Sequence, residues 1–345
     1  GVPIAFAMGS ASLLFMQAND ISLAVAAQKF FSNTQSFSFL AVPFFILAGN
    51  LMVESGIAKK LINFASVLVR QLPGGLGCVS VVTSMIMAGI SGSSVADASS
   101  VGAILIPEMN DQGYPKSFSA AINATSSVVG IIIPPSSTMI VISYITGLSV
   151  AKMFLAGAIP GILIGFAYLA VTVWMAKKNN YPREERAARS EVIAASIDAA
   201  WAMLFPVFML GSIILGIATP TESASICVVY SLLLGLFVYR SLDLKKILRA
   251  LKDSAIGTTV VMMVVCTATI MQWILVSNNI PTMIADFLLG LNLPYALMLL
   301  VMILILFCAG MVMDNVPNLY IFLPIFMPIA VGMGIKIGRK IYKLG

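Results

Sequence analysis

The chain has 345 residues, 59% of them apolar and only 10% charged, with a formal net charge of +6. A soluble domain carries about a quarter charged residues, so this composition excludes an aqueous globular protein and points to one solvated by lipid. The basic residues cluster in short loops between apolar runs, a pattern of membrane topology that argues against a nucleic-acid footprint.

The chain opens at Gly1 without Met, signal peptide or targeting segment and reads as part of a longer protein. Gly1-Val2-Pro3 introduces a first apolar helix, and Gly56-Ile57-Ala58-Lys59-Lys60-Leu61-Ile62-Asn63-Phe64 an amphipathic arm with apolar residues at helical spacing. A helical hairpin is predicted over residues 76–109, interrupted by Gly89-Ile90-Ser91-Gly92-Ser93-Ser94-Val95-Ala96-Asp97. Backbone at membrane depth must be buried in protein or line a watery cavity. The carbonyls ending the first piece then suit Na⁺, and the amides opening the second suit an anion. Ser94 with Asp97 three positions on fits a helix N-cap. Small residues in a hairpin also allow plain close packing, but an intramembrane Asp97 is costly without a task.

A broken helix is predicted over 117–146, where Pro134-Pro135 removes two amide donors and frees the carbonyls of 130–133 for a hard cation. Asn123 and the hydroxyls of Ser126, Ser127, Ser136, Ser137 and Thr138 surround that break. Membrane spans follow at 151–176, 201–215, 226–239 and 255–276, with a basic linker at 177–200. Thr219-Pro220-Thr221-Glu222 is a capping box and reads as structural. A second hairpin is predicted over 295–330, interrupted by Asp314-Asn315-Val316-Pro317-Asn318, in which Asp314 is a functional candidate.

These elements recur. The arm aligns without gaps with Asn279-Ile280-Pro281-Thr282-Met283-Ile284-Ala285-Asp286-Phe287, and Ala88-Gly89-Ile90 through Pro107 corresponds to Ala309-Gly310-Met311 through Pro324. Residues 1–176 and 201–335 thus form two repeats. Lys177, Lys178, Arg183, Arg186 and Arg189, with Arg240, Lys245, Lys246, Arg249 and Lys252, place both their loops in the cytoplasm. Following the spans outward from there gives the repeats opposite orientation, and Lys59-Lys60 against Thr282-Met283 agrees with it. The basic tail at 336–345 conflicts with an external second hairpin, so either the tail is not native or the hairpin is placed otherwise.

The chain has no His, which removes the commonest general base and metal ligand and makes an intramembrane hydrolase remote. Cys78, Cys227, Cys266 and Cys308 lie in apolar segments without CxxC spacing and read as packing residues. No Gly-Lys-Ser/Thr follows Gly92, so no phosphate loop is present.

Val42-Pro43-Phe44-Phe45-Ile46-Leu47-Ala48-Gly49, Leu72-Pro73-Gly74-Gly75, the 88–98 segment, Ile133-Pro134-Pro135-Ser136 and Thr219-Pro220-Thr221-Glu222, in that order, resemble the large membrane subunit of tripartite ATP-independent periplasmic (TRAP) transporters, a DctM-like family. The resemblance spans residues 1–335 and implies an all-α, multi-pass inner-membrane carrier of the inverted-repeat elevator type, with two re-entrant hairpins. It implies sodium ions as the coupling ion, an organic acid such as a C4-dicarboxylate or sialic acid as substrate, and no enzymatic activity. A small four-helix membrane subunit and a periplasmic substrate-binding protein are the implied partners.

Carried onto this sequence, one sodium site falls on Ser91, Gly92, Ser93, Ser94, Gly130, Ile133 and Pro134, and a second on Gly310, Asp314 and Asn315. Ser94, Asp97, Asn123, Pro135, Ser136 and Asn315 are assigned to the substrate, in a cleft between the two tips. Residues 76–146 and 295–335 are expected to slide against the remaining helices and arms. Family members continue beyond Gly334 into a second Pro-Pro-broken helix and carry one helix ahead of Gly1, so both ends are expected to be truncated. A sodium/dicarboxylate symporter without a binding protein, or a proton-coupled carrier using Asp97 and Asp314, remains open.

Overall fold

The computed structural model describes residues 2–32, 35 and 37–334, which are predominantly helical and contain no strand. Helix α1 (Ile4–Ala18) starts behind Pro3 and is followed by α2 (Leu23–Ser32). A 3₁₀ turn (Phe37–Leu40) leads into α3 (Ala41–Glu54), which bends by 72° into α4 (Ile57–Val69). Helices α5 (Gly75–Ser91) and α6 (Ser94–Asp111) form the first hairpin. Helix α7 (Lys116–Ser127) tightens into a 3₁₀ turn (Val128–Ile131), and α8 (Ser137–Thr146) resumes beyond the prolines.

The long helices α9 (Val150–Asn179) and α10 (Arg189–Ile214) precede α11 (Pro220–Leu233), which ends in a π turn (Leu234–Val238). Helix α12 (Leu244–Ser277), α13 (Ile280–Gly290) and the second hairpin, α14 (Tyr295–Gly310) with α15 (Asn315–Gly332), follow among the described residues. Among the described residues, five helices are long and apolar enough to cross a bilayer, or up to six if α3 and α4 form one bent span. Large apolar side chains such as Ile159, Leu163 and Val207 remain exposed along them, the face that lipid solvates. The protein is thus an all-α polytopic membrane protein.

Two spans start earlier than predicted: α10 at Arg189 rather than 201 and α12 at Leu244 rather than 255. Charged residues end the hydrophobic run but are good helix formers, so the helix continues past the apolar stretch. Residues 189–200 of the expected linker therefore belong to α10. The arms α4 and α13 follow N-cap residues Gly56 and Asn279, positions paired in the sequence alignment, and both residues are left-handed, with φ of 74° and 56°.

The chain divides into two compact units. The larger comprises Leu40–Ile140 and Ser149–Ala255. Within it α3 packs on α11, α4 on α5 and α10, and α5 on α6, α7 and α9. Residues 180–188 are strapped along this unit: the Pro182 carbonyl accepts from the Gly74 amide (3.1 Å) and from the Tyr114 hydroxyl (3.0 Å). The Glu184 amide donates to the Arg70 carbonyl (3.1 Å), and Arg70 pairs with Glu191 at 2.7 Å. Burial pushes the Tyr114 phenol up to about 12, so it remains a donor at neutral pH.

The smaller unit comprises Gly1–Phe39, Val141–Leu148 and Ile256–Gly345. Met16, Ala26, Ile270 and Ile274 join α1 and α2 to α12, while Leu288, Met298 and Phe326 join α13 to the second hairpin. Gly1, Ile335 and the basic tail at 336–345 lie outside the described residues.

Candidate functional site

Gly92 joins α5 to α6 with φ of 59°, a left-handed conformation that glycine adopts at no steric cost. A Cβ at Gly92 would collide with the Pro135 carbonyl oxygen, so the hairpin tip presses its backbone onto the break between α7 and α8. Gly130 closes the opposite side, where a Cβ would lie 2.6 Å from Asp97 Oδ2 and 3.3 Å from the Ser94 amide nitrogen. Helix α3 meets the same tip, since a Cβ at Gly49 would approach Ser91 Cα at 3.2 Å. The tip at 91–94 and the break at 130–136 are thus in direct contact within one compact unit.

The N-cap of α6 is Ser93 and not Ser94: Ser93 is extended, and its hydroxyl accepts from the Ala96 amide at 3.4 Å. The left-handed turn at Gly92 decides the register, a backbone effect that two adjacent serines conceal in the sequence. Asp97 then lies in the first turn of α6, fully buried. Its Oδ1 accepts from the Ser91 hydroxyl at 2.5 Å, and the same Ser91 oxygen accepts from the Ser93 amide at 3.2 Å. Asp97 Oδ2 is buried with no hydrogen-bond partner.

In the break, the Pro134-Pro135 peptide bond is cis. Neither proline supplies an N–H, so the Gly130 and Ile131 carbonyls lose the donors that an α-helix would give them. The Ser136 hydroxyl donates to the Ile131 carbonyl at 2.7 Å, which leaves Gly130 as the carbonyl without a helical partner. Ile133 packs toward α9, where a Cβ at Gly161 would lie 2.6 Å from its Cγ1, and the Pro134 carbonyl faces Gly89 of α5. Asn123 is buried and turned to α6, donating from Nδ2 to the Ala98 carbonyl at 2.9 Å, while its Oδ1 has no partner.

The Ser91 hydroxyl, the Ser93 carbonyl within 3.4 Å of it and the Asp97 carboxylate therefore gather oxygen donors at the tip. Such hard donors suit an alkali or alkaline-earth cation and not a soft metal. Among the described residues no group of three His, Cys, Asp or Glu could hold a metal ion.

The second tip is built differently. Gly310 and Asp314 are exposed, and Asp314 caps α15 by accepting from the Asn315 amide at 2.8 Å. Asn315 accepts from the Val316 amide at 3.1 Å, and Asn318 Nδ2 donates to the Met313 carbonyl at 3.3 Å. Away from both tips, the Thr219 box is present: Thr219 Oγ1 accepts from the Glu222 amide and Glu222 from the Thr219 amide.

Sequence reasoning overlooked a buried polar seam that runs away from the tip. Ser84 and Ser126 hydroxyls meet at 3.1 Å between α5 and α7, and Ser80 and Thr83 are buried with no partner. Ser80 and Ser84, four apart in an apolar helix, were the available signal.

Comparison with known proteins adds an independent line. Residues 1–337 match the family described as the tripartite ATP-independent periplasmic transporter, DctM component. The chain is 35% identical over 339 residues to the 2,3-diketo-L-gulonate TRAP transporter large permease protein of Escherichia coli (strain K12), covering 97% of this chain and 79% of that one. It is 33% identical over 351 residues to the C4-dicarboxylate TRAP transporter large permease protein of Rhodobacter capsulatus, covering 97% and 80%. It is 34% identical over 337 residues to the sialic acid TRAP transporter large permease protein of Vibrio cholerae serotype O1, covering 97% and 79%.

Proposed function

Because the chain belongs to the DctM family, the large permease component of TRAP transporters, we propose that it carries an organic acid across the inner membrane on a sodium gradient. The relatives are named for a diketo sugar acid, C4-dicarboxylates and sialic acid, which share a carboxylate. A small membrane subunit and a periplasmic binding protein complete the proposed importer, the latter delivering the acid.

The observation that carries the reading is the buried tip: Asp97, Ser91 and Ser93 packed on the proline break at Gly130 and Pro135. In the proposed mechanism, Na⁺ occupies the oxygen cluster, offsets the Asp97 charge and rigidifies the tip, which completes the carboxylate site. Substrate binding is then linked to ion binding by this shared element. Translocation moves the hairpin-bearing segments 76–146 and 295–335 against the other helices. Only the loaded form crosses readily, because an uncompensated charge is costly in the membrane.

The unpartnered Asp97 oxygen favours one second reading, a carrier in which Asp97 takes a proton in place of a sodium ion. The full-length protein, reconstituted with small subunit and binding protein, separates the two when uptake of labelled organic acids is measured with a Na⁺ or a proton gradient. Uptake that requires Na⁺ and binding protein is expected. Uptake driven by protons alone, in the absence of Na⁺, would replace the sodium reading with the proton one, and uptake without binding protein would point to a simple symporter.

A further inference from the structure

Far along α9 from the hairpin tip, the larger unit carries an open groove of about 450 Å³ between Leu72 and the end of that helix. Phe166, Leu169, Val173 and Trp174 wall it, at spacings that place them on one side of a helix. Phe166 and Trp174 are 58% and 63% exposed, so this side of α9 is open. Lys177 closes the groove, and Lys178 Nζ stands 5.6 Å from the centroid of the Trp174 ring, within cation–π range.

Among the described residues, neither lysine forms an ion pair with a carboxylate. The nearby Arg70, by contrast, is committed to Glu184 and Glu191. The groove therefore combines an apolar trough, an interfacial indole and two uncompensated ammonium groups. A purely apolar partner helix would cover the trough and bury the charges without compensation, at a high cost. An acyl chain attached to an anionic headgroup satisfies both ends, since basic residues at a membrane surface attract acidic lipids.

We propose that this groove is a binding site for an anionic phospholipid, its acyl chain along Phe166, Leu169 and Val173 and its phosphate on Lys177 and Lys178. Leu72 lies in the turn after the arm α4, so a bound lipid ties that turn to α9. The assignment stands apart from the transport reading and does not depend on it.

Tryptophan quenching by brominated lipids tests it in the reconstituted full-length protein. The share due to Trp174 is taken as the difference from Trp174→Phe, because the chain has three Trp. Brominated phosphatidylglycerol should quench that share at a membrane fraction roughly fivefold lower than brominated phosphatidylcholine does. The preference should vanish in Lys177→Gln/Lys178→Gln, and in the unmodified protein it should weaken as salt is raised, a readout that needs no variant. Equal quenching by the two lipids, or a preference that survives both the double variant and high salt, would overturn the assignment. So would loss of Trp174 quenching when the small membrane subunit is added, which would make the groove a protein interface.

Discussion

The two hairpin tips, which align with one another in the sequence, use their polar residues in opposite ways. At the first, Asp97 is fully buried and holds the Ser91 hydroxyl, with the proline break at Gly130 packed against it. At the second, Asp314 is exposed and spends its carboxylate on the amide next to it. An acidic residue in an apolar run is thus not one kind of signal. Three elements meet the first tip: the 3₁₀ turn at Asp97, α3 at Ser91 and the Pro-Pro segment at Gly92.

The largest test of that contrast places the same substitution at both tips. Gly92→Val forces a β-branched residue into a left-handed backbone and against the Pro135 carbonyl, and should cost about 3 kcal/mol or more. Gly310→Val meets only Asn318 Nδ2 at 4.0 Å and should change stability by less than about 1 kcal/mol. Unfolding of the two purified variants in the same detergent reads both. Comparable losses at the two sites would erase the distinction.

A smaller effect is expected from removing charge. Asp97→Asn keeps an acceptor for Ser91 but removes the buried carboxylate, and uptake should fall by about tenfold or more. Asp314→Asn keeps the cap, since Asn and Asp are equivalent there, and uptake should stay within about threefold of the parent. Initial rates of labelled-acid uptake in proteoliposomes decide between them, and the reverse order would move the ion site to the second tip.

Smaller again is Ser136→Ala, which strips the Ile131 carbonyl of its hydroxyl donor and should cost about 1 kcal/mol. Thr219→Ala serves as a control outside both tips, with a cost of about 1 kcal/mol from the lost cap and an unchanged dependence on Na⁺. A shifted Na⁺ dependence in that control would show that such shifts report general loosening rather than the tip.

Much of this arrangement was legible in the sequence because it follows from local chemistry. Pro134-Pro135 lacks two amides in any environment, and Thr219 with Glu222 caps a helix wherever it occurs. The rest depends on partners distant in sequence. That Ser93 rather than Ser94 caps α6 follows from the backbone at Gly92, where the α7–α8 break crowds the chain. That Gly130 closes over Asp97 is a contact between segments that no periodicity reports. Asn123, expected at the substrate, donates to the Ala98 carbonyl, a use that depends on how closely α6 packs at Gly102.

The most direct test of the central claim is the Na⁺ concentration that half-activates uptake in Ser91→Ala, measured in the reconstituted system beside the parent protein. Loss of the hydroxyl that Asp97 holds should raise that concentration by about tenfold. An unchanged Na⁺ dependence would contradict the placement of the coupling ion at this tip.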